Sequence, residues 1–129
     1  MPPLNHITSD IIAASIRIHA DLGPGLFESA YEELVAAELT RRGLDVQRQL
    51  LIPFEYNGTK IEFGFRLDLL IEGRVPVELK CTERRAPVHQ RQLVTYLRLL
   101  KLPVGLLINF GGERLIDGVL RVVNGYVDE

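Results

Sequence analysis

The stretch FRLDLLIEGRVPVELK, residues 65–80, contains the pattern that decides the fold. Its apolar residues occupy mainly odd-numbered positions, whereas Asp68, Glu78 and Lys80 are even-numbered. Because successive side chains of a strand point to opposite faces, this pattern predicts a β-hairpin with one apolar face and one polar face. A three-residue connection, 72–74, keeps both apolar sets together, whereas a two-residue connection would bury a carboxylate. The sequence therefore predicts that Asp68 lies opposite Glu78.

A second hairpin is predicted immediately before the first. Asn57-Gly58 is typical of a two-residue turn, and it follows an alternating pattern from 46 to 56. This turn would pair Ile52 with Phe63, so that the apolar faces of both hairpins coincide. Pro53 cannot donate to a ladder, which indicates that its strand lies at a sheet edge or carries a bulge.

The remaining pattern predicts helices and two further strands around this three-stranded meander. After a loose lead, Thr8 or Ser9 would cap a first helix, and Gly43 would end a second one. We expect one α/β domain, 1–129, with a central mixed sheet of the meander plus one or two strands, flanked by helices. The other predicted elements are helices at 26–42 and 88–101 and strands at 104–110 and 115–123.

The composition sets bounds on the class of protein. The chain has 129 residues and a net charge of −2, so it has no overall basic field that would attract nucleic acid. The single cysteine, Cys81, excludes an intramolecular disulfide and fits a reducing cytoplasm. We expect no membrane span and no signal peptide, because the apolar runs are short and the beginning lacks a basic segment. Zinc-site, P-loop and dinucleotide motifs are not visible.

The polar face of the first hairpin suggests metal-assisted phosphodiester chemistry. Mg²⁺ prefers oxygen ligands and keeps several waters, so Asp68 and Glu78 with a backbone carbonyl could hold it. Lys80 shares their face and could orient a water or neutralise charge on phosphorus. The alternative is an ordinary solvated strand face.

Other polar residues have weaker signals and ordinary alternatives. Arg84, Arg85 and Arg91 form a local basic patch that could hold a phosphate backbone, or simply a solvated loop. His89 could contact a phosphate or cap a helix. Four further residues could border the site or only serve their helices, by dipole placement or packing: Glu28, Tyr31, Gln92 and Tyr96.

The motif Gly25-Leu26-Phe27-Glu28-Ser29-Ala30-Tyr31 resembles the signature of the GxxExxY protein family. The segments 66–68, 78–80 and 89–92 fit that family as well, so the resemblance covers nearly the whole chain. The family is similar to a branch of the PD-(D/E)XK nuclease superfamily, with Leu67 in place of the signature proline. The segment 92–96 also resembles the Q-x-x-x-Y motif of RecB-like nucleases.

This resemblance implies a role for each candidate residue. Asp68, Glu78 and the Leu79 carbonyl would bind the metal with support from Glu28, and Lys80 would position the water. Substrate or water would be held by Gln92 and Tyr96, with further substrate contacts from Tyr31, Arg84, Arg85, His89 and Arg91.

Two functions from different classes follow. The first is a Mg²⁺-dependent nuclease, with Mn²⁺ able to substitute, acting on nucleic acid, DNA favoured, and as a homodimer if a duplex must be spanned. The second is a catalytically silent nuclease-fold domain that binds nucleic acid or protein.

Overall fold

The computed structural model describes residues 2–84 and 86–125. Two helices, three strands, a helix and two strands follow one another, which confirms the predicted order. The elements are α1 (Leu4–Leu22), α2 (Glu28–Arg41), β1 (Val46–Tyr56), β2 (Thr59–Ile71), β3 (Val75–Lys80), α3 (Pro87–Leu100), β4 (Val104–Asn109), a 3₁₀ helix (Leu115–Gly118) and β5 (Val119–Val123).

The strands form one mixed sheet in the order β1-β2-β3-β4-β5. Only β3 and β4 are parallel within this sheet, and α3 supplies the crossover that a parallel pair requires. The predicted interior position of β4 is confirmed, since nearly all its residues are buried. The mixed sheet predicted from the sequence is therefore observed.

Helices cover both faces of the sheet. On one face α1 and α2 contribute to the main core with alternate residues of β3 and β4, such as Val77 and Leu106. On the other face, Leu93 and Leu97 of α3 pack with Leu107. The end of β3 consequently lies between α2 and α3. No described helix is both long and apolar enough to cross a membrane.

The connection between β2 and β3 has the predicted length. Ile71 pairs with Val75 and Leu69 with Val77, which leaves the three residues 72–74 as the turn. Gly73 has a φ of 64°, a conformation that glycine adopts without strain. Continued at the same register, this pairing sets Asp68 opposite Glu78, as predicted.

The pairing between β1 and β2 differs from the prediction. Ile52 pairs with Phe65 rather than with Phe63, because the register shifts between Ile52 and Phe54. Pro53 lies at this shift, where its missing N–H cannot continue the ladder. Phe63 is displaced from the apolar face and is 73% exposed. The edge position and the irregularity indicated by Pro53 are both confirmed.

The apolar face of β2 also changes along the strand. Leu67 and Leu70 belong to one cluster, which includes Tyr96 from α3, whereas Leu69 belongs to the core formed with α1 and α2. Residues three apart lie on opposite faces of a regular strand, so the alternation is interrupted between 67 and 70. The prediction of one continuous apolar face is therefore wrong, and the interruption falls at Asp68.

Two other predicted boundaries are wrong. Helix α1 begins at Leu4, which is 1% exposed and part of the core, rather than after Thr8 or Ser9. Thr8 lies inside the helix, where its hydroxyl donates to the carbonyl of Asn5. The predicted final strand is shorter than expected, because residues 115–118 form the 3₁₀ helix and β5 begins only at Val119.

Candidate active site

Asp68 and Glu78 meet at the point where the ladder between β2 and β3 ends. The backbone N–H of Asp68 donates to Oε2 of Glu78 at 3.3 Å, and the N–H of Leu79 donates to Oδ2 of Asp68 at 2.8 Å. The Asp68 carboxylate thus takes a bond that a regular ladder would give to a carbonyl. Glu78 is only 6% exposed, whereas Asp68 is half-buried.

Burial and the neighbouring acid raise the pKa of Glu78 to about 9. Burial is the larger cause, because it penalises the charged form, and the hydrogen bond and charge of Asp68 add to it. The amine of Lys80 acts in the opposite direction. The pair therefore holds a proton at neutral pH when no other positive charge is present.

Helix α3 brings Tyr96 to the acid pair. Its ring stacks on Phe65 with 4.2 Å between the ring centroids. Burial raises the pKa of the Tyr96 hydroxyl, the charges of Glu78 and Asp68 raise it further, and a hydrogen bond with Gln92 lowers it. Gln92 and Tyr96 thus lie on the side of α3 that faces the two acids.

Lys80 faces a small cavity at the end of β3. His89, half-buried in the first turn of α3, lines the same cavity with Thr82 and Asn109. Lys80 follows Glu78 by two residues on β3, so the two side chains lie on the same face of the strand, and the charge of Lys80 lowers the pKa of Glu78. The structure therefore brings Lys80 and His89 close to the predicted site.

A groove of about 320 Å³ lies on the other side of Asp68, toward α2. Glu28, exposed in the first turn of α2, lines it together with Asp68 and Leu79. Glu28 thus shares the groove with Asp68, one member of the acid pair. The other residues of the lining are Ser29, Glu32, Gln49 and Arg66.

Three residues that were not predicted to belong to the site connect α2 to this groove, namely Glu32, Arg48 and Gln49. Glu32 is 6% exposed and pairs with Nη2 of Arg48 at 3.2 Å. The side-chain amide of Gln49 donates to Glu32 and lies 3.5 Å from Oδ1 of Asp68. Glu32 follows Glu28 by one helical turn, and this spacing could have indicated that both carboxylates lie on the same face of α2. Gln49 had no signal in the sequence.

Tyr31 is buried in the core, contrary to the expectation that it would contact a substrate. Its side chain is 0% exposed and stacks on Phe110 with 4.4 Å between the ring centroids. Its hydroxyl donates to the carbonyl of Gly23 and accepts the N–H of Leu26 at 3.1 Å. Tyr31 instead fixes the loop that leads into α2, and thereby the position of Glu28.

The basic residues lie on the outer surface. Arg84 and Arg91 are exposed, whereas Arg85 lies outside the described residues. Arg91 and Arg98 are seven residues apart and therefore share one exposed face of α3. Helix α3 contains no Asp or Glu between 87 and 100.

The donors present fit a hard divalent cation. Backbone N–H groups hold one oxygen of Asp68 and one of Glu78, and neither N–H group contacts the second oxygen of either carboxylate. In the part of the chain that the structure describes, no three His, Cys, Asp or Glu side chains gather into a metal cluster. Mg²⁺ needs no such cluster, because one or two carboxylates and several waters suffice.

The comparison with protein families now agrees with this architecture. Residues 5–122 match the sequence model of the PD-(D/E)XK nuclease superfamily. The chain belongs to this superfamily, whose nucleases typically use divalent metals. A crystal structure of SSO0001 is similar at 17% identity and a TM-score of 0.45, over 93% of this chain and 67% of that chain. A search of curated protein sequences gave no match.

Proposed function

We propose that this chain is a Mg²⁺-dependent nuclease of the GxxExxY branch that hydrolyses phosphodiester bonds, with DNA as the favoured substrate. The observation that carries the proposal is the Asp68–Glu78 pair, which lies beside Lys80 and faces Tyr96. Membership of the nuclease superfamily supports it. A reducing cytoplasm, expected from the single cysteine, is the compartment in which such an enzyme would meet its substrate.

The residues divide the work as follows. Asp68, Glu78 and the Leu79 carbonyl hold the metal, with Glu28 supporting it across the groove. The metal, when bound, polarises the scissile phosphate and lowers the pKa of bound water. Lys80 orients the attacking water and offsets negative charge that develops on the phosphate oxygens.

Tyr96 and Gln92 act from α3, on the side of the acid pair away from Glu28 and α2. The stacking of Tyr96 on Phe65 fixes its ring, so that its hydroxyl has a defined direction. Gln92 bonds to Tyr96 and is exposed, which leaves it able to contact a phosphate or a water. Both residues therefore position the substrate rather than react.

The charge distribution favours an approach of the substrate from α3. Four acids lie on α2, whereas α3 has only cations among its charged residues. Arg84, Arg91 and His89 are placed to contact phosphates on that side, and we keep Arg85 as an expectation from the sequence. A homodimer formed through the exposed edge at β1 or β5 would let two sites span a duplex.

The test is cleavage of labelled single- and double-stranded DNA and RNA with Mg²⁺ or Mn²⁺. Asp68→Asn and Glu78→Gln keep the shape of the site but remove its charge, and both should abolish cleavage, as should EDTA. Asp21→Asn changes an exposed acid at the end of α1 and is the matched control. Wild-type cleavage that survives both substitutions would contradict the proposal.

A second candidate is a silent domain that binds nucleic acid or protein. It is favoured by the pKa of Glu78, about 9, because a carboxyl that keeps its proton at neutral pH is a poor ligand. Binding of DNA by the wild type without cleavage in Mn²⁺, unchanged in Asp68→Asn, would select this candidate.

A further inference from the structure

Gln49 has a backbone conformation that its position does not explain. The described non-glycine residues with positive φ are Gln49, Asn57, Glu72 and Lys101. Asn57 and Glu72 lie in hairpin turns and Lys101 ends α3, where left-handed residues are common. Gln49, with a φ of 49°, lies inside β1. A residue with a side chain is strained there and persists only if its surroundings require it.

The strain coincides with the interruption of the sheet at Asp68. Arg48 pairs with Leu69 and Leu50 pairs with Leu67, so Gln49 is the residue opposite Asp68. The apolar face of β2 changes at this same point, as described above. The two irregular residues therefore face each other across β1 and β2.

The side chain of Gln49 occupies the space between two carboxylates. Its Nε2 donates to Oε1 of Glu32 and lies 3.5 Å from Oδ1 of Asp68. Carboxylates only accept, so the NH₂ group of the amide must face both of them. A neutral donor with two hydrogens is the group that can satisfy two acceptors without adding charge.

Glu32 anchors this arrangement to the body of the protein. It is 6% exposed, and the guanidinium of Arg48 binds it through Nε at 3.3 Å and Nη2 at 3.2 Å. A chain of contacts thus runs from Arg48 through Glu32 and Gln49 to Asp68. Leu79 holds Oδ2 of Asp68, and the amide of Gln49 is the contact with Oδ1 from β1.

We propose that Gln49 is a positioning residue that orients Asp68 for metal binding, and that its strained backbone conformation exists to deliver its amide to that carboxylate. The role in metal binding rests on the proposed function, whereas the role of Gln49 in orienting Asp68 does not. Partners around a ligating carboxylate commonly change metal affinity by 10- to 100-fold when they are removed.

Two substitutions separate the amide from the backbone strain. Gln49→Ala removes the amide and keeps the strain, whereas Gln49→Gly removes both, because glycine accepts positive φ without cost. Gln47→Ala, an exposed glutamine on the same strand, is the matched control. Calorimetric titration with Mn²⁺ and crystal structures of the four proteins give two independent measurements.

We expect both Gln49 variants to bind Mn²⁺ at least roughly tenfold more weakly than the wild type and the control. We also expect Oδ1 of Asp68 to turn away from its present direction in both. Wild-type Mn²⁺ affinity in Gln49→Gly would mean that the amide is not needed, and that any loss of affinity in Gln49→Ala comes from backbone strain. This result would overturn the inference.

An unchanged orientation of the Asp68 carboxylate in the crystal structure of Gln49→Ala would overturn the inference as well. If the wild type binds no Mn²⁺, the proposed metal-dependent function fails, and the orientation of Asp68 in the crystal structures alone decides the role of Gln49. If Mn²⁺ binds but no nucleic acid is cleaved, only the nuclease proposal fails.

Discussion

The backbone N–H of Asp68 donates to Oε2 of Glu78 at 3.3 Å, which joins two acidic residues of neighbouring strands. The arrangement keeps two carboxyl groups together at a place where one of them is almost fully buried. Such a pair costs free energy when both groups are charged and no cation is bound.

This pair should make the metal-free protein less stable as the pH rises. The pKa of Glu78 is about 9 in the folded protein against 4.5 for the free side chain. Between these values the folded state binds more protons than the unfolded state, so the free energy of unfolding falls with increasing pH. We expect a loss of roughly 1 kcal/mol or more across this window, measured by urea denaturation in EDTA.

Glu78→Gln should remove most of that pH dependence and raise the stability at pH 8. Glu55→Gln, an exposed acid near the hairpin tip, should keep the wild-type slope. A wild-type protein whose stability does not change between pH 5 and pH 9 would show that Glu78 is not held protonated.

Tyr31→Phe should destabilise the protein without a loss of packing. The substitution leaves the carbonyl of Gly23 and the N–H of Leu26 without their side-chain partner, while the ring can still stack on Phe110. We expect a decrease of about 1–2 kcal/mol in the free energy of unfolding. Tyr56→Phe, at a 70% exposed position, is the control and should change nothing. Equal stabilities of the two variants would disprove the structural role given to Tyr31.

Lys80→Ala should reduce turnover far more than metal binding. In the proposed function its amine acts on charge that develops during the reaction, so we expect kcat to fall by about 100-fold or more while the Mn²⁺ affinity stays within a few-fold. Single-turnover cleavage and calorimetry measure the two quantities. Lys60→Ala, an exposed lysine near the hairpin tip, is the matched control. An equal loss of metal affinity and turnover would instead make Lys80 part of the metal site's support.

The exposed face of α3 should govern the salt dependence of DNA binding. Arg91 and Arg98 lie on that face, and neither has an acidic partner among the described residues. If each neutralises a phosphate, Arg91→Gln with Arg98→Gln should reduce the slope of log K against log salt by roughly 2.

A matched control for α3 removes the same number of charges elsewhere. Arg17→Gln with Arg41→Gln changes α1 and α2 and should leave the slope unaltered. Asp68→Asn in all these proteins prevents cleavage during the measurement. Equal slopes in both double variants would place the DNA away from α3.

The sequence predicted the hairpin at residues 65–80 because burial permits few registers. A shift of one residue would move the apolar side chains Val75, Val77 and Leu79 out of the core formed with α1 and α2 and would turn Glu78 and Lys80 into it. The pattern therefore determines that Asp68 meets Glu78. The same reasoning failed at Ile52, because it assumed a regular ladder past Pro53. A bulge changes the count of residues without changing the pattern.

Chemistry and periodicity together predicted Asp68, Glu78 and Lys80, whereas the role of Tyr96 was implied by the resemblance to RecB-like nucleases. The structure brings these four residues together. Gln49 was missed because its importance depends on a backbone angle that glutamine rarely adopts. Tyr31 was placed with the substrate because its motif is distinctive, yet a buried hydroxyl with two backbone partners serves the loop instead.

The tip of the β1–β2 hairpin extends away from the chemistry just described. Residues 55–63 are all exposed, and the turn at 57–58 joins strands that are longer than β3. Residues added in equal numbers to both strands at this tip would preserve their pairing and leave the acid pair untouched. The hairpin end is therefore the place where a fluorescent label or an affinity peptide can be inserted with the least disturbance to the acid pair.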